Sequence, residues 1–146
     1  MPTTPTKKAG YQGILYYGTG GATAATQVTN SQDINYAYSV ITDTITTRGD
    51  GSSPPIEENI IVGRKLDDLS WTMIEKSDDT TLTALRGAAA NGTVVALRTK
   101  SHSSGTGFDG DCYVSCKRGM PIGGKQTVDF TAVLAPFVDR SPQFDT

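Results

Sequence analysis

His102 is the single histidine of the chain, and it stands among serines in "KSHSSGTG". A serine nucleophile activated by imidazole needs a carboxylate to orient the ring. The sequence places none there, so an exposed loop histidine is expected. Asp109 and Asp111, in "DGDC", resemble the start of a calcium loop. The remaining ligands and the terminal Glu of such loops are missing, and a turn feeding a strand is expected instead. Asp67-Asp68 and Asp78-Asp79 are paired acids. Neighbours in a strand point to opposite faces, and the second pair sits where a helix N-terminus favours negative charge. Cys112 and Cys116 lie four apart. In a strand that is roughly 13 Å at about 3.3 Å per residue, too far for a disulfide, which needs Cα atoms within about 7 Å. Two thiols and one histidine make no zinc site. Both cysteines are expected as small buried residues, suited to a reducing compartment. No catalytic constellation, cofactor site or metal site emerges, and the chain is expected not to be an enzyme.

The stretch "RGDGSSPP", residues 48–55, admits three chemistries. Arg48-Gly49-Asp50 is the adhesion tripeptide, but it is short enough to arise by chance and nothing else in the sequence suggests secretion. A phosphate cradle needs backbone N–H groups at a helix N-terminus, and Walker-type loops add a Lys-Ser/Thr pair. Pro54 and Pro55 lack N–H and oppose helix. The phosphate reading fails on this chemistry, and a long loop with a structural role, over 48–59, is favoured over adhesion.

The surrounding elements are mostly strands. "GILYYG", 13–18, is short, apolar and bounded by glycine. The small polar stretch 19–33 reads as loop. Ile34, Tyr36, Tyr38 and Val40 alternate with polar or small residues, and this period of two marks a strand. The phase then changes: Ile41 and Ile45 are odd, while Thr42, Thr44 and Thr46 are even. A strand cannot switch faces without a bulge or break, so either two strands join near Val40–Ile41 or one long strand bends. Beyond the loop, Leu69, Trp71 and Met73 share one strand face, and Trp71 is expected to anchor the core. "SDDTTLTALRGAAANG" supplies an acidic cap, Leu82 and Leu85 at helical spacing, and Asn91-Gly92 as a stop. One helix over about 78–91 is predicted. Strands at 93–100, 110–119 and 126–136 follow, the last alternating Val128, Phe130, Ala132 and Leu134 with Thr127, Asp129 and Thr131. Residues 1–9 read as a flexible arm and 137–146 as a trailing tail.

The chain has 146 residues and a formal net charge of −2, one domain's worth of sequence. That charge is small and of the wrong sign for gripping nucleic acid through phosphates or for attraction to anionic membranes. No run approaches the 18 apolar residues of a membrane span, and the N-terminus lacks the apolar stretch of a signal peptide. A protein made and used in the cytosol is expected. The sum is a mainly β domain, 1–146, with one packed helix and at least one polar, Thr-rich sheet face that is wet or lies against another subunit.

Three ordered segments carry a resemblance: "ITTRGDG", then "LSWTMIEKSDDTTLTALRGAAANGTVVALRT", then "GFDGDCYVSCKRGMPIGGKQTVDFTAVLAP". Over roughly 33–137 the chain resembles the tail-tube (major tail) proteins of long-tailed bacteriophages, and through them the inner-tube proteins of contractile injection and type VI secretion machines. The resemblance implies an antiparallel β-sandwich or half-barrel of two sheets flanked by one helix. It implies hexameric rings with a shared inner β-barrel, stacked into a hollow tube through which DNA passes without specific binding. Implied partners are further copies of the chain, a tape-measure protein, and terminator or initiator proteins. The implied place is the virion tail, assembled in the host bacterial cytoplasm.

On this resemblance Arg48, Gly49, Asp50, Pro54 and Pro55 belong to a loop contacting the neighbouring subunit or ring. Thr42, Thr44 and Thr46 form a candidate lumen or interface face. Trp71, Leu82, Leu85 and Phe130 anchor the core. Two other readings stand beside it. One is a related protein that stops at a single ring or serves an injection device. The other, of a different class, is a β-sandwich adhesin binding through Tyr16, Tyr17, Tyr36, Tyr38 and the Arg-Gly-Asp loop.

Overall fold

The computed structural model describes residues 7–136 and 140–145. After a 3-10 turn at Gly10–Gln12 come β1 (Ile14–Thr19), β2 (Thr26–Gln27), β3 (Ser31–Thr47) and β4 (Ile56–Ile74). Then follow α1 (Thr80–Asn91), β5 (Val95–Lys100), β6 (Phe108–Gly119), β7 (Thr127–Leu134) and β8 (Gln143–Phe144). The strands form one antiparallel sheet in the order β2-β1-β5-β6-β7-β4-β3, with β8 pairing separately to β6. The sheet curls until β3 returns toward β6: the Tyr36 and Phe108 ring centroids are 6.1 Å apart. The result is a half-barrel of one continuous sheet, not the two sheets expected.

The core is the inner face of this curl. Period-two patterning puts Leu69, Trp71 and Met73 of β4 beside Val128, Phe130 and Ala132 of β7, and all six are buried. Trp71 and Phe130 are direct cross-strand partners, with rings stacked at 5.4 Å. Leu82, Leu85 and Ala88 of α1 close the open side of the curl. The helix starts where the Asp79 carboxylate accepts the Leu82 N–H, and it stops at Gly92, whose φ of 67° is left-handed. Such a cap satisfies a donor the helix leaves orphaned, and glycine takes the left-handed C-terminal position without strain.

β3 and β4 extend far beyond this body. β7 pairs with β4 only over Ser70–Ile74, so residues 56–69 of β4 pair with β3 alone. The phase change at Val40–Ile41 receives its explanation here. β3 is one continuous strand with three register shifts in its ladder: Asp33 and Ile34 of β3 oppose the single Trp71 of β4, and further along the extra residues, Asp67 and Val62, lie on β4. Before the first shift it is Ser31 that lies beside the buried Met73, whereas from Ile34 to Tyr38 the even residues face the core. Past that point the strand has left the core, so apolar side chains are no longer held to one face. Ile41 and Ile45 stand on the opposite face from Tyr36 and Tyr38, both of them exposed.

The expected loop at 48–59 is shorter than predicted. β4 begins at Ile56, which leaves a turn at 48–55. The stretch 19–33 is also less of a loop than its composition suggests. It holds β2, and its Ala24 and Val28 are buried.

The C-terminal stretch departs most from expectation. Phe137, Val138, Asp139 and Thr146 lie outside the described residues, as do 1–6 of the N-terminal arm. Residues 140–145, however, do not trail. They cross the mouth of the half-barrel as a strap, with Phe144 packed against Phe108 and Tyr38 at 5.5 and 5.3 Å.

Candidate assembly surfaces

Among the described residues, the arm formed by β3 and β4 is exposed along nearly its whole length. Nine residues of β3 past Tyr38 span about 30 Å at roughly 3.3 Å per residue. Cross-strand partners share a face in an antiparallel pair. On the outer face Asp43, Ile45 and Thr47 lie beside Ile60, Glu58 and Ile56. This surface mixes acids with isoleucines, and its Ile45, Ile56 and Ile60 are exposed. On the core-side face Thr42, Thr44 and Thr46 lie beside Ile61, Asn59 and Glu57, and the Thr44 hydroxyl meets Asn59 Oδ1 at 2.8 Å. The three threonines therefore do share a face, on the arm and away from the body.

At the tip, Gly49 and Gly51 have φ of 65° and 84°, conformations that favour glycine. The Asp50 carboxylate accepts from the Ser52 N–H at 2.9 Å and from its hydroxyl at 2.5 Å. These bonds hold Asp50 below the usual carboxylate range. The acid of the Arg-Gly-Asp triplet thus shapes its own turn. Arg48, Pro54 and Pro55 are exposed there.

Several stretches of sheet edge are open among the described residues, including the outer side of the short β2 and the β7 side of β4 over 56–69. β3 has no strand on its outer side. β5 covers β6 only at 109–112, so the same edge of β6 is free over 113–119. The sheet face turned away from the core is polar over two rows across β6, β7 and β4, while the next row along, Tyr113 beside Val133, is apolar and exposed. Ser115, Thr131 and Ser70 form one cross-strand row, and Lys117, Asp129 and Thr72 the next. Within the second row the Thr72 hydroxyl donates to Asp129 at 2.7 Å. This hydroxyl-rich face was visible in the alternation of Thr127, Asp129 and Thr131, although the residues singled out in advance were those of the arm.

Other candidate residues fall out differently. Ser101 Oγ lies 3.0 Å from His102 Nδ1 on an exposed loop. Cys112 is buried and its thiol is pushed up to about 12, first by burial and then by the neighbouring Asp111. Cys116, expected to be buried too, is exposed, because β6 extends past the edge of β5 at that point. The four tyrosines of the adhesin reading are not gathered. Tyr16 and Tyr17 alternate across β1, with Lys100 Nζ 5.7 Å from the Tyr16 ring. Tyr36 and Tyr38 pack into the aromatic cluster with Phe108 and Phe144.

An open groove of about 1240 Å³ runs between the 3-10 turn, the start of β3 and loop 101–107, with Asp33, Lys100 and Asp145 on its walls. Among the described residues no group of three His, Cys, Asp or Glu side chains could hold a metal ion. No helix among them is long and apolar enough to cross a membrane.

The C-terminal clamp was missed in the sequence. Arg140 donates to Asp109 at 2.8 Å and to Asp111 at 3.0 Å, while Asp111 also accepts from the Gly21 N–H at 3.0 Å. The signal was present in "DGDC", since two acids at i and i+2 of a strand share a face and call for a cation. The comparison with protein-family models gives no match for this chain, and the comparison with curated proteins gives none either.

Proposed function

We propose that this chain is a structural subunit that assembles with copies of itself into rings, stacked as a hollow tube of the phage tail-tube kind. The observation that carries the reading is the arm of β3 and β4, two strands that leave the body with both edges unpaired. A two-stranded ribbon is marginal in water by itself, and open edges invite further strands. Ordering each residue costs roughly 1–2 kcal/mol of backbone entropy. An arm this long, burying nothing against its own body, is best repaid by contact with another copy.

The open edge of β3 and the free half-edge of β6 lie on opposite sides of the sheet. Pairing one with the other between copies is heterologous, and such contacts close into rings or continue as filaments. Six copies per ring is the number the resemblance suggests. The hydroxyl row Ser115, Thr131 and Ser70, with the net charge of −2, suits a wall that lets DNA slide past without holding it. In this reading the protein acts without catalysis or cofactor. Its partners are itself, a tape-measure protein and end-capping proteins, in a virion tail built in the host cytoplasm. The Arg48–Pro55 turn is the leading contact of the arm.

Deleting residues 50–57 tests the reading. The variant is expected to stay folded by circular dichroism and to form no tubes in negative-stain electron microscopy at concentrations where the intact chain does. Normal tubes from the variant would overturn it.

A further inference from the structure

The two ends of β4 carry complementary chemistry. One end is the arm tip. Over residues 43–60 it holds four carboxylates, Asp43, Asp50, Glu57 and Glu58, against the single cation Arg48. All of these stand exposed; Asp43 and Glu58 share the outer face with Ile45, Ile56 and Ile60, and Glu57 lies on the other face beside Thr46. The other end of β4 is Ile74, which pairs with Thr127 of β7, itself the partner of Gly119 of β6. The turn joining β6 to β7 therefore sits at the pole opposite the arm tip, and the Glu75 N–H donates to the Gln126 carbonyl there at 3.0 Å.

That turn together with the end of β6, "KRGMPIGGKQ" over 117–126, holds Lys117, Arg118 and Lys125 and no acid. Its Met120 is 65% exposed and its Ile122 is fully so. Two acids of the neighbouring strands already have partners. Glu75 is held by Arg86 at 2.5 Å and by Arg118 at 3.4 Å, and Asp129 accepts from Thr72. Lys117 and Lys125 make no ion pair among the described residues. One pole thus presents acids with isoleucines, and the other presents lysines with Met120 and Ile122.

From this we infer that the arm tip of one copy docks on the β6–β7 turn of the next copy, end to end along the strand direction. The inference rests on the self-assembly reading and names its axial contact. An arm-on-arm dimer is disfavoured because it would bring Asp43, Glu57 and Glu58 against their own kind, and like charges across an interface cost several kcal/mol. Arm-to-turn docking joins opposite charges and covers both apolar patches. Because the two surfaces differ, each copy keeps one of each free, and the contact propagates.

The test is a charge-reversal cycle on the full chain, read by sedimentation velocity over a concentration series and by electron microscopy. The double variants K117E/K125E and E57K/E58K are each expected to raise the concentration needed for association by about ten-fold or more. Combining all four reversals is expected to restore it to within about three-fold of the original chain. Circular dichroism melts of each variant separate lost contact from lost fold.

Association unchanged by either reversal, with tubes still formed, would overturn the arm-to-turn contact and leave the tube reading standing. Association that follows the cycle but yields no hollow tubes would support the contact and overturn the tube. A chain that stays monomeric at every concentration would overturn both.

Discussion

Arg140 places its Nε 3.0 Å from Oδ1 of Asp111, and that contact ties the C-terminal strap across the mouth of the half-barrel. Asp111 is 7% exposed, so its charge depends on the guanidinium for compensation. Removing one member of a buried ion pair leaves the other uncompensated, typically at about 3–5 kcal/mol. Arg140→Ala is expected to lower stability by about 3 kcal/mol, because the Gly21 N–H still serves Asp111. Urea denaturation followed by tryptophan fluorescence checks it, since Trp71 is the only indole.

Phe130→Ala is expected to cost about 3–5 kcal/mol, as for other large-to-small changes in a packed core. Phe130 is fully buried and stacks on Trp71. The same fluorescence titration would show the loss, together with a shifted native emission as the indole gains a void beside it.

Asp79→Ala removes the N-cap of α1, worth about 1 kcal/mol. It also frees Asn30, whose side-chain amide donates to Asp79 Oδ2 at 3.0 Å and to the Ile74 carbonyl at 2.6 Å. The expected loss is about 1–2 kcal/mol. Amide exchange in the first turn of the helix and at Asn30 should quicken together, whereas a cap acting alone would quicken only the helix.

The two cysteines should behave differently. Cys116 is expected to react with an alkylating reagent in the native protein, and Cys112 only after unfolding, as peptide mass mapping would show. Burial raises the Cys112 thiol from 9.0 to about 12. In the unfolded chain it ionises from about pH 9 upward, while the folded one keeps its proton. The contribution is therefore whole below pH 9 and is lost as pH rises toward 12, at about 1.4 kcal/mol per unit. Cys112→Ala is expected to flatten that alkaline limb, measured as unfolding free energy against pH.

The arm is expected to add little to the stability of the body. Joining Ile41 to Gly63 through an Asn-Gly turn removes 42–62, none of which is buried. The melting temperature of the shortened chain should change by only a few degrees, in line with the small effects of surface changes. A large drop would mean that the arm contributes to the core.

Much of this fold was legible because local rules and burial agreed. α1 had its acidic cap, its leucine spacing and its glycine stop, and β7 alternated cleanly because one face meets the core. The same logic explains the failures. At Ile41 the pattern changed phase because β3 had left the core, and no burial remained to keep apolar residues in register. Cys116 was misjudged because its exposure depends on how far β5 reaches along β6, a property of the neighbour and not of the segment. The strap was missed because its partners, Asp109 and Asp111, lie about thirty residues away in sequence. Of the candidate assembly surfaces, the arm tip shows in the sequence through the glycines and prolines of Arg48–Pro55, whereas the β6–β7 turn carries only the pattern of an ordinary connection.

The arm leaves one pole of β4 and the basic turn stands at the other, so the molecule has a front and a back. A polymer joined through them carries that direction along its whole length. Its two ends differ chemically, one studded with free arms and the other with bare lysine-rich turns. Whatever seeds such a polymer and whatever stops it must then recognise different surfaces, and growth can be switched off at one end while the other stays open.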